Sequence, residues 1–209
     1  MLLDLVTVAV LGFVAFRLLG AAGLIGRRDV RDHIWKIVRG VRPRHVLLAI
    51  PVLAAVATAA TLLLEVPGLD FGWWTAIGGE GNPVVGSTGR TRGTALEWLI
   101  PLAFLVLLAP VLPLFAEREE RIFRLGAERW STARRVRRGL EFGLVHAVIG
   151  IPIGVALALS IGGWYFTWAY LRGHRRGGQE TALMASTRAH FAYNAVVLVV
   201  VAVALAVSV

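Results

Sequence analysis

An all-α bundle of about six membrane-spanning helices is the fold this sequence predicts, and three observations predict it. Of the 209 residues, 57% are hydrophobic and 17% charged, with a mean hydropathy of +0.71; a soluble domain carries about 25% charged residues. Apolar runs of roughly 20 residues recur, the length that crosses the ~30 Å hydrocarbon layer, without the period-2 alternation of a β-barrel. The arginines gather in short segments between those runs. The net charge of +9 therefore reads as the positive-inside pattern, with attraction to anionic lipid, and not as a nucleic-acid surface.

The elements follow in order as one integral-membrane domain, 1–209, with two leading spans in 2–64 and a core in 95–209. Residues 2–25 form the first span, too long for a signal-peptide core and followed by Arg27 and Arg28, so it is expected to be retained. Residues 26–45 carry Arg27, Arg28, Arg31, Lys36, Arg39, Arg42 and Arg44 and should lie in the cytoplasm. Residues 46–64 form the second span, with Pro51 near its start. Residues 65–94 form a Gly-rich outer loop, with Trp73 and Trp74 expected as an interfacial pair. Its Gly86-Ser87-Thr88-Gly89 has no histidine in a neighbouring span and is not expected to be a nucleophile. Residues 95–125 form the third span, where Pro101, Pro110 and Pro113 predict kinks.

A second basic segment, 126–139, is again assigned to the cytoplasm. The apolar stretch 140–171 would be about 48 Å long as one helix, too long for a single crossing. Gly150-Ile151-Pro152 offers the break. A short fourth helix carrying His146 then turns into a fifth, 152–171, which ends in aromatics. Residues 172–178 are basic, and 181–209 make a sixth span. Both termini fall outside the inner membrane. Gly150 and Gly154 form a small-x-x-x-small pattern that can bring helices close together.

Chemistry-bearing residues concentrate at one end of the third span and in two later runs. Glu119 and Glu120 end a long apolar run, and Glu120 and Arg124 are an i,i+4 pair that can neutralise one another. Glu119 points about 100° away, toward a different neighbour. Phe142 precedes His146 by one helical turn, and His190 precedes Asn194 by one turn. Carboxylates and imidazoles are costly inside a membrane and mark a functional site. Cysteine is absent, which excludes thiolate chemistry. Asp4, Asp29, Asp32 and Asp70 all lie outside the deep part of any span, which excludes an aspartyl pair. No His-Glu-x-x-His occurs.

Glu119-Glu120-Arg121-Ile122-Phe123-Arg124 fits Glu-Glu-x-x-x-Arg, Phe142 to His146 fits Phe-x-x-x-His, and His190 to Asn194 fits His-x-x-x-Asn, in that order. The chain resembles the CPBP family of intramembrane proteases, which includes type II CAAX prenyl endopeptidases and bacteriocin-processing proteins. The resemblance covers 95–209. It implies that Glu119 and His146 activate water and that His190 and Asn194 stabilise the oxyanion. Glu120, Arg124 and Phe142 are supporting residues. It also implies a membrane-embedded or lipidated peptide substrate reached from the cytoplasmic side of the plasma membrane. Glu119, His146 and His190 can in principle hold zinc; the expectation is a metal-free glutamate mechanism without a cofactor. The competing class is a non-catalytic membrane scaffold that keeps these polar residues for helix packing.

Overall fold

The computed structural model describes residues 2–77 and 93–207, so the Gly86–Gly89 stretch lies outside the described residues. Among those described, every regular element is helical: α1 (Leu2–Leu24), α2 (Arg28–Val38), α3 (Pro43–Leu64), α4 (Trp73–Ala76), α5 (Leu96–Arg124), α6 (Thr132–Leu144) and α7 (Ile153–Val207). Four stretches are long and apolar enough to cross a membrane: Leu5–Leu24, Pro43–Leu64, Leu96–Arg129 and Ile153–Val207. This is an all-α membrane protein. Its spans differ from the expected six in two places.

The first difference is α7, a continuous run of 55 residues broken at Gly177 and Gly178. Gly178 has φ 72° and ψ −162°, a conformation essentially restricted to glycine. The chain folds back there, so the expected fifth and sixth spans are two arms of α7. Gly173 packs on Ala182 and Ala185, and Phe166 on His190 and Tyr193, which sets the arms antiparallel.

The second difference is the expected fourth span. Its helix begins earlier, at Thr132, so it includes the arginines, and it ends at Leu144 after 13 residues. Ser131 caps it, accepting from the Arg134 N–H at 3.3 Å, as a serine N-cap does. His146 lies beyond it, in a 3-10 turn over Val145–Ile149. The break falls at Gly150, whose φ is 90°, and α7 starts immediately after.

Two further expectations need correction. The basic segment 26–45 contains α2, because Val30, Ile34, Ile37 and Val38 repeat at helical spacing along one half-buried face, with Ile37 fully inside. Trp74 is 2% exposed and packs against Gly150; it is a core residue and not an interfacial one. Beside it the Trp73 indole donates to the Val148 carbonyl at 3.0 Å. The helix α5 runs unbroken through Pro101, Pro110 and Pro113.

The hub of the bundle is α7, against which α3, α5 and α6 all pack, while α1 rests on α5. Gly143 lets α6 lie directly on the α7 backbone: a Cβ there would run into the Ala156 carbonyl and Ser160. Gly154 packs less tightly, against Leu63 and Leu69. The small-residue pattern thus joins segments within this chain. At the far end Arg138 donates to the Ile122 carbonyl at 2.6 Å, satisfying a carbonyl that the last turn of α5 leaves free. Tyr170 accepts from the Gly126 N–H and donates to Glu128, pinning the turn after α5 to α7.

Candidate active site

Three elements meet around the ring of Phe142. The last two turns of α5 bring Glu119, Glu120 and Arg124, α6 brings Phe142 itself, and the second arm of α7 brings His190 and Asn194. The i,i+4 spacing sets Glu120 beside Arg124, whose Nη1 donates to Oε1 at 3.1 Å with both side chains 0% exposed. Arg124 Nη2 also donates to the Gly163 carbonyl at 3.1 Å. Its guanidinium carbon lies 4.1 Å from the centroid of Phe142 and 5.4 Å from that of Phe166. A planar, weakly hydrated cation stacked on aromatic faces is the kind that withstands burial. Arg124 Nε and Glu120 Oε2 are nevertheless left without a hydrogen-bond partner.

His190 bridges the two carboxylates. Its Nδ1 lies 2.8 Å from Glu120 Oε1 and its Nε2 lies 3.7 Å from Glu119 Oε2. The ring stacks on Phe166, with centroids 4.2 Å apart and planes 17° apart, and meets the edge of Phe142 at 5.5 Å. Because the Glu120 carboxylate accepts from Nδ1–H, Nε2 is the ring nitrogen that His190 turns toward Glu119. The expectation that Glu119 faces a different neighbour from Glu120 is therefore corrected. Their directions differ, but one imidazole reaches both.

Glu119 is unlike Glu120 in exposure. Its side chain is 35% exposed, while its Oε2 is buried and accepts no hydrogen bond. One carboxylate of the pair is sealed and the other is open on one edge.

The remaining candidates stand at the margin of this cluster. Nδ1 of His146 lies 2.8 Å from the Phe142 carbonyl, one turn back, and its ring is 5.2 Å from the Phe142 ring. Phe142 thus lies between the two imidazoles and touches both. Asn194 is half-buried one turn after His190, and among the described residues its amide makes no hydrogen bond. Among the described residues no three His, Asp or Glu side chains gather to hold a metal ion. Glu119 and His190 adjoin, whereas His146 stands across Phe142. Glu141 is held by Arg138 at 2.7 Å and Arg137 at 3.4 Å, away from the cluster.

Two participants escaped the sequence reading. Glu117, 8% exposed, binds Arg121 at 2.6 Å and also the His33 imidazole, tying α2 to α5. Its i,i+4 relation to Arg121 was the available signal. Phe166, the platform under His190, had none, because stacking between the arms of α7 depends on where Gly178 folds them. Comparison of the chain with protein-family models, with curated proteins and with solved structures finds no match.

Proposed function

We propose that this protein is an integral-membrane endopeptidase of the CPBP kind, which hydrolyses a peptide bond of a membrane-associated or lipidated peptide with Glu119 as the base. The observation that carries this reading is the His190 bridge between a sealed carboxylate and an open one. Glu120, with Arg124, fixes the imidazole, much as a buried carboxylate fixes the histidine of a hydrolase triad. Glu119 keeps an unsatisfied oxygen beside that imidazole and an open edge where water can stand.

In this mechanism Glu119 takes a proton from water and the resulting hydroxide attacks the scissile carbonyl. Protonated His190 donates through Nε2 while Nδ1 stays on Glu120. With the Asn194 amide on the same helix face, it gives the developing oxyanion two donors. His146, its Nδ1–H committed to the Phe142 carbonyl, would have to reach the attacking water through Nε2 from across Phe142. Glu119 then returns the proton to the leaving amine.

Six crossings fit this reading: α1, α3, α5, α6 with its 3-10 turn, and the two arms of α7. At about 1.5 Å per α-helical residue and 2.0 Å per 3-10 residue, 132–149 extends roughly 30 Å. It runs from the end of α5 to the Trp73–Trp74 end of α3. Both termini then lie outside and the site opens to the cytoplasm of the inner membrane. A single cysteine at Arg137 in this cysteine-free chain should react only with permeant reagents; labelling by an impermeant one in intact cells contradicts the orientation.

Cleavage of a prenylated reporter peptide by the purified protein tests the activity. Asn194→Ala should retain substrate binding and slow cleavage about 10²–10³-fold, the effect of losing one oxyanion donor. EDTA should leave the wild type active; loss on chelation with recovery on zinc would replace the metal-free mechanism. A non-catalytic scaffold is the second reading. It is favoured by the full burial of Glu120 and Arg124, which lock α5 to α7 whatever Glu119 does. It predicts no cleavage under any condition.

A further inference from the structure

At the end of the bundle where α2 turns into α3, a cavity of about 480 Å³ opens between that turn and the two arms of α7. Its lining is strongly basic: Lys36, Arg42, Arg44, Arg172, Arg176 and Arg188 all contribute. The acidic lining residue is Glu180, which lies 3.6 Å from Lys36. Among the described residues none of the five arginines is ion-paired. Arg188 is aimed into this place by a specific arrangement. Its Nη2 donates to the Lys36 carbonyl at 3.1 Å, and its Nε is buried without a hydrogen-bond partner. A Cβ at Gly40 would collide with that guanidinium, so the glycine lets Arg188 lie flat on the α2–α3 turn.

The same lining also carries apolar and aromatic groups, Leu48, Tyr165 and Trp168, with the Arg172 guanidinium 5.4 Å from the Trp168 ring centroid. It continues onto an exposed surface where Leu47 is 66% and Trp168 43% exposed. Cations and hydrocarbon-compatible groups therefore share one lining. This is the arrangement found at headgroup depth.

We infer that this cavity binds the phosphate of an acidic phospholipid, its acyl chains running along α3 and the first arm of α7. Five arginines without an ion-pair partner among the described residues repel one another in one cavity, and an anion among them removes that cost. The guanidinium fork matches phosphate oxygens in a bidentate way, and basic pockets between membrane helices recognise acidic headgroups. The apolar lining residues and the exposed Leu47 and Trp168 beside them favour an amphiphile over free phosphate. None of this rests on the peptidase reading: the cavity lining contains neither Glu119 nor His190.

The test is titration of the full-length protein in detergent with dioleoyl phosphatidylglycerol, read by native mass spectrometry against phosphatidylcholine. Phosphatidylglycerol should bind at least about ten-fold more tightly. Arg188→Gln should weaken it roughly 5–10-fold, and Gly40→Ala should do likewise by displacing the guanidinium. Should Arg188→Gln fold poorly, the exposed pair Arg42→Gln with Arg176→Gln serves instead, and Arg137→Gln, outside the cavity, should bind as the wild type does. Equal affinity for the two lipids overturns the inference, as does an unchanged affinity in the cavity variants or an equal loss in Arg137→Gln. Displacement of the lipid by inorganic phosphate would make this a site for soluble anions and overturn the amphiphile assignment.

Discussion

Two charged regions of this molecule solve opposite problems. Around Phe142, Glu120 and Arg124 are entirely buried and paired, the cation also stacked on the Phe142 face and the anion also accepting from His190 Nδ1. At the α2–α3 turn, five arginines line a cavity with one lysine–glutamate pair between them. The first region can exclude water because its charges are paired; the second stays open because they are not. Pairing thus decides burial. Glu119 belongs to neither, being attached to the sealed cluster yet left partly open, and that intermediate status is what a base needs.

The comparison is broken most forcefully at Arg124. Arg124→Ala strands the Glu120 carboxylate in a dry site, a loss of about 3–5 kcal/mol, seen as a large drop in melting temperature or yield of detergent-solubilised protein. A fully stable but inactive variant would instead give the arginine a role with substrate. At Gly143, where α6 touches α7, alanine should cost about 1–3 kcal/mol through overpacking; an unchanged melting temperature would show that the interface yields. The smallest effect belongs to the open region. Lys36 and Glu180 are 58% and 87% exposed, so Glu180→Gln should shift stability by no more than about 1 kcal/mol. A loss as large as that of Arg124→Ala would erase the contrast between the two regions.

How much of this was legible in the sequence depends on the range of the interaction. Helix-local features were read directly: the Glu120–Arg124 pair, the break at Gly150, and the ends of α1 and α5 within a residue or so. Features that join distant segments were not. Periodicity says that Glu119 and Glu120 point apart, but only packing shows that one imidazole on α7 spans the gap. Counting arginines marked 26–45 as a basic loop and hid the apolar face of α2, although Val30, Ile34 and Ile37 carried that signal. His146 was placed on a helix because Phe142 and His146 have helical spacing. A 3-10 turn following α6 preserves nearly the same spacing, so the pattern alone could not separate them. Trp74 reads as interfacial by type, and its burial depends on Gly150 coming up against its Cβ.

The account rests on Glu119 being the open, reactive member of the carboxylate pair, and cleavage of a prenylated reporter by Glu119→Gln protein tests that most directly. The glutamine keeps the shape and removes the basic oxygen, so turnover should fall to background while the melting temperature stays near that of the wild type, because Glu120 still holds His190. Substantial turnover by a correctly folded Glu119→Gln protein would contradict the assignment.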